Sequence, residues 1–397
     1  MSRFFQRFVF VLSLAIFASL GLGFALGELG WFGVHADNDQ DGAYNQMRVY
    51  AEVLQKVQSD YVTDPNINMV TNGALHGLVE SLDADSSYLT ADEYKLYKGR
   101  PTGGDAQEGM TVSKRGGWAT IVNVIPGSPA DKEHLVDGDV IDSIGEKSTY
   151  DLPVAVLRMM LEGKPGTTVD LTVIRPSKPD PEKVVLTRTV VDAPAMSEQQ
   201  YENSTILYLK PGELTAARVD AIAAKIKDAG KGRKILLDLR DSTGPDLQQG
   251  VRLANFFIKQ GTLATLQGQT YPTQTFTADP AKTLTDAPVA LIVNRGTYGA
   301  AELTAAAIGE LKRGDVVGER TFGEGSVQKT FDLPDGSALL LTVAKYQGPD
   351  GKKIQDDAVT PNVAVTSPQD EIDEGITPQN GDEMLDKALG LLKTKGA

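Results

Sequence analysis

The stretch RGTYGAAEL, residues 295–303, follows the apolar run PVALIVN and opens into the alanine-rich segment AELTAAAIGEL. A buried strand that passes through a tight glycine turn into a helix is the support on which several hydrolase folds present a nucleophile. Such a nucleophile needs a base within about 3 Å and backbone N–H donors for the developing oxyanion. There is no cysteine anywhere in the chain, which excludes thiolate nucleophiles, cysteine metal sites and disulfides. The hydroxyls on the turn belong to Thr297 and Tyr298, and Ser326, Lys312 and Lys329 stand near in sequence. A Thr297–lysine pair would have to meet a strict geometry, because a displacement of about 1 Å can cost roughly 100-fold in rate. His35, His76 and His134 all fall in the first third, so a Ser-His-Asp triad would have to borrow one across domains. Glu302, Glu310, Glu319 and Glu324 have no histidine nearby and read as a solvated face, so no metal site and no cofactor is expected.

The 397 residues carry a formal net charge of −14 with both signs interspersed, which removes the phosphate attraction that nucleic-acid binding requires. Arg3 and Arg7 precede an apolar run from Phe8 to Leu26, long enough at ~1.5 Å per residue nearly to cross a ~30 Å hydrocarbon core. Residues 1–27 therefore read as a signal peptide or a membrane anchor. Either way the remainder is exported, to the periplasmic side if basic residues stay cytoplasmic. Residues 28–43 form a polar spacer. From 44 to 99 apolar residues recur at helical spacing, with Val49, Val53 and Val57 in one helix and Met69, Leu75, Leu78, Val79 and Leu82 in the next. Residues 104–191 hold short β-rich runs broken by PGSP, VDGD and GKPG, with one helical segment, LPVAVLRMML. Beyond residue 200, buried strands alternate with helices, which implies βαβ units and a largely parallel sheet, followed by hairpins through PDG and GPDG. Residues 366–397 are an acidic linker and a last helix.

The order of helical segment, small β domain and α/β domain resembles the carboxyl-terminal processing, or tail-specific, proteases. VLQKVQSDYV and LHGLVESLDADSSYL resemble that family's helical region, VIPGSPADKEHLVDGDVIDSIG its PDZ domain, and ILLDLRDSTG, VGERTFGEGSVQ, DGSALLLTVAKY and IQDDAVTPN its protease core. The resemblance implies an α/β multidomain fold: an N-terminal helical segment, a PDZ-like β domain over 104–191, and a protease-like core with a mixed sheet over 200–365. It also implies serine peptidase chemistry through a Ser-Lys dyad. Carried over residue by residue, the nucleophile position is Gly299, three places before Glu302, and the base position is Glu324 in FGEG. Neither residue can play its part, since glycine has no side chain and glutamate is an anion near neutrality. A glycine pair near the oxyanion site is interrupted by Pro245, which has no N–H. Gln328 matches a glutamine that assists the dyad in some members, or else is a structural amide.

The expected function is therefore that of a pseudoprotease that binds peptide. The loop at Glu108, Gly109 and Met110 stands where the family's carboxylate-binding loop would be. The strand Met110, Thr111, Val112 onward would accept an added peptide strand. Leu157 and Met160, with Val154 and Leu161, would form either a side-chain pocket or plain core. The expected partners are C-terminal tails of exported or membrane proteins, an active paralogue protease, the membrane through the N-terminal segment, and a second copy of the chain. The alternative is an active endopeptidase with Thr297 as a displaced nucleophile.

Overall fold

The computed structural model describes residues 38–99, 108–150, 152–175, 178, 180–192, 194–230, 232–355, 357–366 and 381–395. The apolar run from Phe8 to Leu26 and the acidic stretch 369–374 lie outside the described residues. Among the described residues, no helix is long and apolar enough to cross a membrane. The chain divides into two compact units, residues 1–70 and 71–397.

In the first unit, helix α1 (Asn38–Asp60) carries the spacing read from the sequence, and α2 (Ile67–Glu80) begins. Helix α1 starts inside the expected spacer. Asn, Asp and Gly at 38–42 suggested coil, but once a helix is nucleated each further residue adds a hydrogen bond, so weak formers at its end are carried along. Val49 and Val53 remain exposed.

The second unit starts with the rest of α2, strand β1 (Ser87–Leu89) and helix α3 (Ala91–Lys98), which Thr90 and Glu93 close with a capping box. The small β domain follows: β2 (Met110–Arg115), β3 (Trp118–Val124), the short α4 (Pro129–Lys132), β4 (Val140–Ile144), β5 (Lys147–Ser148), α5 (Val154–Leu161), β6 (Thr168–Ile174) and β7 (Glu182–Thr187). Its sheet runs β2-β3-β4-β6-β7, with β5 paired to β4, so β2 is an edge. Helix α5 is apolar on two faces. Leu157 and Leu161 enter the β domain's core, while Ala155 and Val156 pack with Leu89, Tyr94 and Leu340 of the larger domain.

The larger domain contains β8 (Ser197–Tyr201), β9 (Ile206–Lys210), α6 (Ala216–Ala229), β10 (Lys234–Asp238), α7 (Leu247–Asn255), β11 (Thr262–Gln267), β12 (Gln274–Thr277), β13 (Val289–Val293), α8 (Ala300–Glu310), β14 (Asp315–Gly318), β15 (Ser326–Asp332), β16 (Ala338–Gln347), β17 (Val363–Ala364) and α9 (Glu383–Thr394). Its main sheet is mixed, in the order β17-β14-β13-β10-β9-β8, with β8 antiparallel to β9 and the rest parallel. Alternate residues explain its two layers. Leu207, Leu209, Ile235 and Leu237 face α6, α7 and α8, while Ile206, Tyr208 and Leu236 face α9 through Met384, Ala388 and Leu392. A second sheet pairs β1, β16, β11 and β12, with the β15–β16 hairpin turning at PDG as expected. GPDG makes a tight turn with only a single bridge, Gln347 to Lys353.

Candidate functional site

Strands β10 and β13 lie side by side and parallel, so their C-terminal ends open at the same edge, where ligands gather in open α/β sheets. After β13 the chain turns through residues 294–299. Thr297 is fully buried. Its hydroxyl donates to the Leu239 carbonyl at 2.9 Å and accepts the Asn294 N–H at 3.0 Å. The turn ends at Gly299, with φ +64° and ψ −116°, a left-handed backbone that side chains rarely adopt. A Cβ here would stand 2.5 Å from the Gly244 carbonyl oxygen.

The second loop, 320–325, is tied to this turn. Phe322 N–H donates to the Thr297 carbonyl at 3.0 Å, and the Tyr298 and Phe322 rings lie 5.4 Å apart. Glu302, fully buried on α8, joins both segments: its carboxylate accepts the Gly299 N–H at 3.0 Å, the Gly323 and Glu324 N–H groups at 2.7 Å each, and the Thr321 hydroxyl. Burial pushes its carboxyl up to about 7, against the downward pull of these donors. Residues 299 and 324, far apart in sequence, thus meet on one carboxylate oxygen.

The backbone N–H groups at the end of this turn are bonded internally. Tyr298 N–H bonds the Ser242 carbonyl at 2.9 Å, Gly299 N–H bonds Glu302, and Ala300 N–H bonds the Gly244 carbonyl at 3.1 Å. Pro245, next in this loop, is exposed.

Glu324 accepts the Ser326 hydroxyl at 2.8 Å, while its other oxygen is out of solvent with no hydrogen-bond partner. Burial, then the neighbouring charge of Asp85, pushes its carboxyl well above the usual range, and Ser326 and Arg158 only partly oppose this. Asp85 is fixed by the Gln355 amide at 3.0 Å, and Gln355 also accepts the Gly325 N–H at 2.8 Å. Gln328 is exposed and donates to Thr342 at 2.6 Å and Ser326 at 3.3 Å, so it works as a structural amide.

Arg158, the only charged residue of α5, crosses from the β domain to this cluster. Its Nε donates to the Val112 carbonyl at 3.2 Å, and its charge acts on Tyr298, Asp85 and Glu324. Burial pushes the Tyr298 hydroxyl up first and Glu324 adds to it, while Arg158 pulls the other way.

At the start of β2, Gly109 has φ +80° and a Cβ there would stand 2.1 Å from Ser128 Cβ. Its carbonyl accepts Ile125 N–H at 2.7 Å. Glu108 is buried 3.2 Å from Arg188, and burial pushes its carboxyl up to about 7 despite that partner. Met110 and Thr111 are half-buried and Val112 is buried. Of the suggested pocket wall, Val154, Leu157 and Leu161 are buried, with Leu157 and Leu161 in the core, whereas Met160 is half-buried between two apolar clusters.

Residues 195–365 match Peptidase family S41 and residues 109–186 match a PDZ domain. The chain carries an S41 peptidase domain and a PDZ domain. It is 27% identical over 355 residues to the Carboxy-terminal-processing protease of Bartonella bacilliformis, covering 88% of this chain and 81% of that one. With the Carboxy-terminal processing protease CtpA of Bacillus subtilis it shares 28% over 372 residues, 93% and 78% of the two chains. A Probable CtpA-like serine protease of Staphylococcus haemolyticus is 30% identical over 317 residues, 79% of this chain and 63% of that one. The fold is similar to the photosystem II D1 C-terminal processing protease, with a TM-score of 0.66 at 23% identity over 80% of this chain and 92% of that one.

Within this S41 frame the Thr297 alternative meets a physical obstacle. A fully buried hydroxyl bonded to the Leu239 carbonyl, just past β10, has neither access to a peptide nor a proton directed at a base. Sequence reasoning did not single out Asp85, Arg158 or Gln355, and it read Glu302 as solvated. The signal for two of them was present: Glu302 stands alone among alanines and Arg158 alone in VAVLRMML, and a lone charge in a buried helix must find a partner.

Proposed function

We propose that this chain is a non-catalytic member of the carboxyl-terminal processing peptidases, exported by its N-terminal apolar segment, which captures C-terminal tails of extracytoplasmic proteins through its PDZ domain. One observation carries the reading. The position where the elbow would hold a nucleophile is Gly299, and the amides at 298, 299 and 300 are all bonded internally. Nothing there attacks a carbonyl or stabilises the charge that attack creates.

The tail would add to the β2 edge. For that to happen, Arg158 has to leave the Val112 carbonyl. Glu108 with its raised pKa suits the loop, because a carboxyl that is partly neutral near pH 7 repels a tail carboxylate less.

The test incubates the purified exported portion with an unfolded protein ending in an apolar residue and measures both binding and shortening. Binding without cleavage, lost when the tail is C-terminally amidated, is the expected result. Cleavage that disappears in Thr297→Ala overturns it. The paired change Gly299→Ser and Glu324→Lys is expected to stay inactive, since the added Cβ meets the Gly244 carbonyl.

A further inference from the structure

Beside Glu324 lies a cavity of about 210 Å³ whose lining includes Asp85, Lys114, Arg115, Arg320 and Phe322. Its lining is charged, which argues against an apolar occupant. Lys114 contributes no free ammonium, because its Nζ bonds Glu80 and the carbonyls of Tyr150 and Leu152 at 2.8–2.9 Å. The remaining charges are grouped by sign. Asp85 and Glu324 bear on each other, and the Glu324 oxygen that Ser326 does not reach is out of solvent without a partner. Arg115 and Arg320 also bear on each other: after burial, the charge of Arg320 is the next factor that lowers the Arg115 guanidinium. Arg115 lies over the Phe322 ring at 4.5 Å and donates to the Phe322 carbonyl, and Arg320 donates to the Asp357 carbonyl at 3.1 Å. A hollow with an acidic group and a basic group is complementary to a molecule carrying both charges.

We propose that this cavity binds a small zwitterion, a free α-amino acid with a short side chain, its ammonium against Asp85 and Glu324 and its carboxylate against Arg115 and Arg320. Size agrees: at ~30 Å³ per water the space holds about seven waters, close to the six to nine non-hydrogen atoms of such a molecule. The ammonium supplies a donor to the one unpartnered Glu324 oxygen and an opposite charge beside Asp85, and the carboxylate lowers the mutual repulsion of the guanidiniums. Glu324 gives up its proton when the ammonium arrives. The inference stands whether or not the chain cleaves peptides.

The test titrates the full chain by calorimetry with the common amino acids, their N-acetyl forms and their amides. Short amino acids are expected to bind at least about tenfold more tightly than either derivative. They should also release protons, seen as a dependence of the heat on buffer ionisation enthalpy near pH 7. Glu324→Gln and Arg320→Met should each weaken binding by about tenfold or more. Equal binding of the blocked derivatives, or no amino acid binding at millimolar concentration, overturns the proposal. The derivative panel uses the unaltered protein, so it decides the matter even if a variant fails to fold.

Discussion

Gly299 and Gly109 both take a left-handed φ, +64° and +80°, and in both places the room for a Cβ is already filled, by the Gly244 carbonyl and by Ser128. Around Gly299 the scaffold of a reactive turn persists: strand, sharp bend, helix, and a buried carboxylate holding the bend to the opposite loop. Positions 299 and 324 themselves carry a glycine and a glutamate. Around Gly109 the groups suited to recognition remain, an edge strand, a glycine loop and a helix alongside, but Arg158 of that same helix caps the strand at Val112. Backbone shape is held by packing and internal hydrogen bonds, which do not depend on a nucleophile being present. A turn of this form therefore does not require a nucleophile to hold it, and a groove can keep its residues while its edge is occupied.

Removing Glu302 should disturb the first region most. Glu302→Ala leaves buried N–H groups at 299, 323 and 324 and a hydroxyl without an acceptor, and should cost about 3–5 kcal/mol in urea unfolding. Survival of the variant at near wild-type stability would mean the two loops are not held by that carboxylate. Gly109→Ala comes next, at about 2–3 kcal/mol from overpacking and a strained φ. It should lower the melting temperature along with tail binding, so it cannot by itself identify a carboxylate-binding loop. Arg158→Ala should cost about 2 kcal/mol in stability yet raise tail affinity up to about tenfold, read by fluorescence anisotropy, because it frees the Val112 carbonyl. Unchanged affinity would show that the cap is irrelevant to recognition. Met160→Ala should have the smallest effect, under about 1.5 kcal/mol, and alter which terminal side chain is preferred.

A pH series sharpens the same contrast. Glu108, Glu302 and Glu324 all sit above the ordinary carboxyl value of 4.5, the first two at about 7. The folded chain then holds protons that the unfolded chain releases, so stability falls as pH rises from about 4.5 through 7. The urea midpoint should drop across that window, and Glu324→Gln should flatten part of the decline. A midpoint that climbs with pH would refute the assignment.

Much of the fold was legible in the sequence because its signals are local. Period-2 and continuous apolar runs marked β9, β10 and β13, helical spacing marked α6 and α8, and PDG marked the β15–β16 turn. Strand β8, SEQQY, was not readable, since its polar residues become a strand only by pairing with β9. The order of motifs likewise pointed to a PDZ domain and an S41 core.

The sequence alone determined which side chains exist at the bend and the facing loop: a glycine at 299, a glutamate at 324, and no cysteine anywhere. Only the tertiary structure decided that those two positions share one carboxylate, that Thr297 is buried, and that Asp85 and Arg158 join the cluster from distant segments. Residue identity is written locally, whereas burial and charge pairing depend on which segments the packed core brings together across hundreds of residues.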